Sequence, residues 1–236
     1  MDAGHPDLSA TQGEVVPKVK DIVIYGASGF GMEVAWLIEE VNRQTPQWNI
    51  VGFIDDDEAK WGRTSYGYPV LGGREAMRTI PQDTAVAITI AAAEVRRSIV
   101  DALAYRTPEY PVLIHPSVIS SRAVTIGQGT IICAGNILTV EIAIGDHVHI
   151  NLDCTIGHQT ILEDYVTLYP GAHVSGNVKV RSCASLGTGC QVLPGLEIGS
   201  HSFLGAGSVA IRDIPPGVIA AGCPATIKKR RPDGSL

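Results

Sequence analysis

The stretch IGQGTIICAGNILTVEIAIGDHVHINLDCTIGHQTIL, residues 126–162, repeats itself every six residues. Ile126, Ile132, Leu138, Ile144, Ile150, Ile156 and Leu162 stand at that interval, and the series runs on unbroken through Leu168, Val174, Val180, Leu186, Val192, Ile198 and Leu204. Four residues after each comes a small or branched side chain, from Thr130, Asn136 and Ile142 to Ser202 and Ser208. A helix repeats its buried face near every 3.6 residues and a strand every 2, so neither produces a strict six. A parallel β-helix does. Each hexad makes one short strand and one corner, the aliphatic residue points inward, and three hexads close a triangular coil. The fourteen hexads counted from Ile126 predict between four and five coils, stacked about 4.8 Å apart. Such a narrow prism exposes unpaired strand groups at its ends and partly apolar faces, so it is expected to associate.

Upstream of Pro116 the pattern is different. DIVIYG (21–26) reads as a strand, GASGFG (26–31) as a glycine turn, MEVAWLIEEVNRQ (32–44) as a helix and NIVGFIDDD (49–57) as a second strand. TAVAITIA (84–91) is a third strand and AEVRRSIVDALAYR (93–106) a second helix with Val95, Ile99 and Leu103 on its apolar face, while PVLIHP (111–116) closes the domain as a last strand. This is a small Rossmann-like parallel sheet, α/β in class. The predicted layout is a flexible extension over 1–17, the Rossmann-like domain over 18–116, the β-helix over 117–210, and a C-terminal cap and tail over 211–236. The last segment loses the six-residue period and carries Pro215, Pro216 and Pro224.

Composition narrows the function. A chain of 236 residues with 45% hydrophobic and 18% charged residues is neither disordered nor a disulfide miniature. Its formal charge of −6, with one basic run at Lys228–Arg231, gives no footprint for nucleic acid. No window approaches the roughly 20 apolar residues of a membrane span, and the first 19 residues lack the pattern of a secretory signal, so a cytoplasmic location is expected. Five cysteines without a CxxC pair read as reduced, structural thiols. His147 and His149 alternate as in a strand, but no Cys or carboxylate at ligand spacing completes a metal set. His173 and His201 read as solvated or packed.

The ordered set YGASGFG, FIDDD, LIHPSV, INLDCTIGHQ, VSGNV and GCPA resembles the hexapeptide-repeat sugar acetyltransferases, the family of sialic acid O-acetyltransferases and nucleotide-amino-sugar N-acetyltransferases. The resemblance covers about residues 18–230. It implies a left-handed β-helix, a homotrimer, acetyl-CoA as co-substrate without a metal, and a nucleotide sugar as the other substrate, for surface-glycan biosynthesis. It also implies that His158, after Ile156-Gly157, is the catalytic base. The hexad grid agrees in one respect: two residues past the inward Ile156, His158 points outward. A neutral imidazole there can take a proton from an attacking amine or hydroxyl.

Two positions depart from the family pattern. Gln159 stands where relatives commonly place an acid that orients the imidazole, and Thr167 where several carry a second histidine near the thioester. Gly176, Thr188 and Ala206 match the acyl-donor groove; Gly176 is the oxyanion candidate if it does more than make a corner. Thr188 and Ala206, eighteen residues apart in the sequence, should stack along one edge. For the nucleotide, Gly26, Ser28, Gly29 and Phe30 form a turn whose N–H groups face a phosphate at a helix N-terminus. Asp55 and Asp56 follow the second strand, and Ile90 and Ala91 form a further nucleotide-facing loop. A redox dinucleotide fold shares the glycine turn, but one mononucleotide half is all that about 100 residues hold. Three functions follow: N-acetylation of a nucleotide-linked amino sugar, O-acetylation of a sialic acid-type sugar, and a non-catalytic trimeric scaffold.

Overall fold

A computed structural model describes residues 19–230; the expected extension over 1–17 and the end of the tail lie outside them. The first domain holds β1 (Lys20–Tyr25), α1 (Gly29–Gln44), β2 (Trp48–Ile54), β3 (Thr64–Ser65), β4 (Tyr68–Gly72), β5 (Ala85–Ile88) and α2 (Ala93–Leu103). Its sheet runs in the order β3-β4-β2-β1-β5, with β1 parallel to both β2 and β5. Strand alternation divides the core. Ile22 and Ile24 pack with Val34, Leu37 and Ile38 of α1 on one face, and Val23 and Tyr25 pack with Ile99 and Leu103 of α2 on the other. Because the chain leaves β1 toward β2 and returns on its other side at β5, a crevice opens beyond the carboxyl ends of β1 and β5, where such sheets bind ligands.

Two expectations change here. The β3–β4 hairpin was not foreseen, being a two-residue and a five-residue strand. On α2 the buried face is Arg96, Ile99 and Leu103, while Val95 is exposed. An arginine replaces a hydrophobe because its guanidinium finds carbonyl acceptors in the neighbouring domain.

The second domain is a left-handed parallel β-helix of triangular section. Each strand pairs with the strand one coil later, Thr155 with His173 and Ile156 with Val174. Every aliphatic of the hexad series from Ile132 to Leu204 is buried, and Ile126 packs on them from the end of the column. Every sixth residue from Gly129 to Gly207 also has φ between +53° and +79°. Each corner therefore demands the left-handed region, which costs a non-glycine residue about 1 kcal/mol, and Glu141, His147, Asp153, Gln159, Tyr165, Asn177, Cys183 and His201 all adopt it.

The column is longer than the aliphatic series at both ends. Leu113–Ile114, expected to close the first domain's sheet, pairs instead with Ile131–Ile132 as the lowest strand of one face. Ile114 is in phase with the hexads, and the polar Ser120 between it and Ile126 hides the continuity. At the other end Val218–Ala221, expected in the cap, adds a parallel strand beside Phe203–Leu204, and Thr226–Arg230 folds back antiparallel upon it. The first face carries His149, Thr167, Ser185 and Phe203 outward, the second Thr155, His173 and Gln191, the third Ile161, Lys179 and Glu197.

Candidate active site

His158 and Gln159 sit at the corner between the second and third faces, exposed. Asn177 N–H donates to the His158 carbonyl at 2.7 Å, locking this corner to the next coil. His158 Nδ1 lies 3.3 Å from Gln159 Oε1. An amide oxygen only accepts, so this contact favours the neutral tautomer with the proton on Nδ1 and the lone pair on Nε2. The amide thus orients the imidazole at the position where the family pattern has an acid, without supplying a negative charge.

Gly176 lies one coil above. A Cβ built there would fall 2.5 Å from His158 Nε2. Its φ is not left-handed; that conformation belongs to Asn177. The corner therefore does not require glycine at 176; its bare Cα instead leaves room for the imidazole packed against it. The Gly176 N–H donates to no acceptor among the described residues.

Thr188 and Ala206 are exposed and stacked, Gly207 N–H donating to the Thr188 carbonyl at 2.8 Å. They line a different edge, between the first and second faces. Thr167 departs furthest from its expected place. On the first face its hydroxyl donates to the Ala91 carbonyl and accepts from Arg96 Nη2, each at 3.1 Å, so within the chain it meets the first domain and not His158.

At the crevice, Ser28 and Gly29 are exposed and the first-turn N–H groups of α1 have no intrahelical acceptor. Gly31 lets the helix approach the turn, since a Cβ there would lie 1.9 Å from the Gly26 carbonyl oxygen. Phe30 faces the column, its ring centroid 5.1 Å from that of His149. The acidic pair is committed to shaping this mouth. Asp55 Oδ2 accepts from Ala27 N–H at 2.8 Å and pairs with Lys60 at 2.8 Å, while Oδ1 accepts from Asp57 N–H at 3.0 Å. Burial alone would raise its carboxyl, but Lys60 and the two N–H donors hold it below the usual range. Asp56 accepts from the Tyr25 hydroxyl at 2.8 Å and from Arg74 N–H at 2.7 Å. Lys60, which the sequence reading missed, lies 3.1 Å from Ser28 Oγ and brings a cation to the mouth; its position five residues after Asp55 was the available signal.

The remaining histidines are structural in geometry. His149 is fully buried with Nε2 on the Ile88 carbonyl at 2.9 Å, and His147 stacks on Tyr165 with centroids 5.3 Å apart. Burial, then the nearby Arg96 charge, holds His147 down to about 4 and lowers His149 as well. His173 pairs with Thr155 at 2.9 Å. Glu94, Cys183 and His201 place ligand atoms within 4.8 Å of one another, but Arg97 Nη2 stands 3.0 Å from Cys183 Sγ and His201 Nδ1 2.7 Å from Glu94. The Arg97 guanidinium and the His201–Glu94 contact already fill the place of a cation.

Residues 21–103 match the family model described as the PglD N-terminal domain. WeeI from Acinetobacter baumannii AYE is 33% identical with a TM-score of 0.80 over 89% of this chain and 100% of that one. A mutant perosamine N-acetyltransferase from Caulobacter crescentus, in complex with CoA and GDP-perosamine, is 28% identical with a TM-score of 0.83 over 90% of this chain and 98% of that one. The acetyltransferase domain of PglB from Neisseria gonorrhoeae FA1090, in complex with acetyl coenzyme A, is 28% identical with a TM-score of 0.81 over 89% and 100%. The chain belongs to the hexapeptide-repeat sugar acetyltransferases built on a PglD-type N-terminal domain.

Proposed function

We propose that this enzyme transfers the acetyl group of acetyl-CoA to the amine of a nucleotide-linked amino sugar, with His158 as general base. The observation that carries the reading is the imidazole itself: exposed, Nδ1 fixed by Gln159, Nε2 free above Gly176. The sugar amine attacks the thioester carbonyl carbon while Nε2 takes its proton. The tetrahedral oxyanion accepts from the unpaired Gly176 N–H; the C–S bond then breaks and the imidazolium returns the proton to the departing thiolate. The CoA and GDP-perosamine held by the Caulobacter relative support a donor and an acceptor of these classes here.

Ser28, Gly29 and Phe30 at the α1 N-terminus, with Gly26 behind them, Ile90 and Ala91 across the crevice, and Lys60 beside Ser28, receive the nucleotide diphosphate. Asp55 and Asp56 contribute by holding that mouth in shape. Thr188 and Ala206 line the acyl-donor arm. They lie on a different edge from Gly176, so one groove includes all three only where the edges of two adjacent columns meet. Exposed apolar side chains surround the His158 edge, Ile119, Ile137, Val140, Ile161, Leu193 and Ile211 among them, and suit burial by a second copy. The working unit is a homotrimer with shared sites. No helix among the described residues is long and apolar enough to cross a membrane, and a cytoplasmic site of action fits substrates of these classes.

A thiol-release assay with acetyl-CoA against GDP-, UDP- and dTDP-linked amino sugars and free sialic acid tests the reading. Turnover with a nucleotide amino sugar and none with sialic acid is expected. The reverse pattern would establish O-transfer, and no turnover with any acceptor from a folded protein would favour the scaffold.

A further inference from the structure

Arg96 is fully buried, 0% exposed, yet it begins in one domain and ends in the other. Its Nη1 donates to the Ile90 and Ala91 carbonyls at 2.6 and 3.1 Å. Its Nε donates to the His147 carbonyl at 2.9 Å, and its Nη2 to the Tyr165 carbonyl at 2.8 Å and to Thr167 Oγ1 at 3.1 Å. Thr167 closes the loop by donating to the same Ala91 carbonyl. No carboxylate is among these partners. A buried cation without a counter-ion is expensive unless every donor is satisfied, and here carbonyls from the first domain and two successive corners of the column satisfy them.

What this clamp holds is one lip of the crevice. Ile90 and Ala91 lie between β5 and α2, and beside them the Thr89 hydroxyl reaches the Tyr25 and Gly26 carbonyls at 2.9 and 3.1 Å. The glycine turn, this loop and the column are thereby joined in one hydrogen-bonded chain.

We propose that Arg96, acting with Thr167, is a positioning residue for the acceptor: it fixes the Ile90–Ala91 lip, and so the nucleotide mouth, in register with the column that carries the base. The inference rests on the acceptor reading above. It also gives Thr167 a different task from the one its sequence position implies, since a thioester contact would make it matter for the donor.

The two tasks separate in binding. Calorimetry with GDP, UDP and dTDP on one side and CoA on the other is carried out on wild type, Thr167→Val and Arg96→Lys. Lysine keeps the charge but offers three donors on a point centre in place of five in a planar fork. Expected are a several-fold weaker nucleotide Kd for Thr167→Val, a tenfold or greater weakening for Arg96→Lys, and an unchanged CoA Kd for both. In turnover, acceptor KM should rise with kcat within about twofold and donor KM constant, the signature of lost ground-state binding. If Arg96→Lys does not fold, Thr167→Val carries the test alone. Nucleotide affinity equal to wild type in the folded variants, or CoA affinity falling in step, overturns the positioning role. A wild type that binds no nucleotide overturns the acceptor reading itself and this role with it.

Discussion

Two edges of the same prism have the same backbone and opposite fates. Between the third and first faces, the corners at His147, Tyr165, Cys183 and His201 are covered by α2 and its arginines, with His147 buried and stacked. Between the second and third faces, the corners at Val140, His158 and Leu193 are left bare. Each places a left-handed residue at the turn. On the covered edge His147 is desolvated and its imidazole held down to about 4, whereas His158 on the bare edge is open to solvent. Chemistry in this fold is decided by which corner the first domain leaves open.

The largest expected effect comes from the bare edge. His158→Ala should lower kcat by about 10²–10⁴ while the unfolding midpoint stays near wild type, because the side chain is exposed; near-normal turnover in a folded variant would place the base elsewhere. The covered edge should answer in stability. The unfolded imidazole of His147 takes its proton near 6.5 and the folded one near about 4, so between those values the unfolded state binds more protons. Stability contributed by this group is complete above 6.5 and falls as pH drops toward 4, by about 3 kcal/mol, with His149 acting in the same direction. Urea unfolding at pH 7, 5.5 and 4 measures the slope. His147→Asn, which tolerates the left-handed corner, should flatten it, and an unchanged slope would assign the acid sensitivity elsewhere.

Gly176→Ala moves the comparison back to the open edge. The added methyl displaces the imidazole, and a displacement near 1 Å costs up to about 10² in turnover; full activity would mean that the ring does not work from above Gly176. The smallest effects belong to Gln159. Gln159→Gly relieves the left-handed backbone and should stabilise the fold by up to about 1 kcal/mol while loosening the imidazole. Gln159→Glu should leave thermal stability alone and hold or raise kcat; a large loss would show that the amide has a role a carboxylate cannot fill.

The column was legible because every face buries one aliphatic per hexad and nothing else shares that signal. It failed only where Ser120 broke the series below and where pairing continued past Leu204 through Val218–Ala221. The first domain was legible in its parallel core, since β1, β2 and β5 are short β-rich runs beside a glycine turn. The β3–β4 hairpin left no signal because so few of its residues are buried. On helix α2 the apolar pattern finds Ile99 and Leu103 but puts Val95 where Arg96 is buried, because it cannot reveal that Arg96 has carbonyl partners fifty or more residues away. Pairing that sequence spacing cannot show also ties Thr167 to Ala91 and Arg96, and Asp55 to the Ala27 and Asp57 N–H groups and Lys60. Sequence spacing did place His158, Gln159, Thr188 and Ala206 on their edges, because those positions follow from counting along the hexads alone.

That counting makes the column behave like a dial as well as a ladder. Strands pair at an interval of one coil, Ile137 with Thr155 and Thr155 with His173, so an insertion of three hexads raises everything beyond it by one storey and leaves each residue facing the same direction. An insertion of one hexad keeps every aliphatic inside and every turn in place, yet advances the residues beyond it by a third of a revolution. Placed between Leu113 and His158, it would carry the imidazole from the open corner to the one beneath α2. The column can thus lengthen in a way that keeps its own core intact yet is catalytically blind and turns Thr167 away from Arg96, so only whole revolutions preserve both the open corner and the contacts with the first domain.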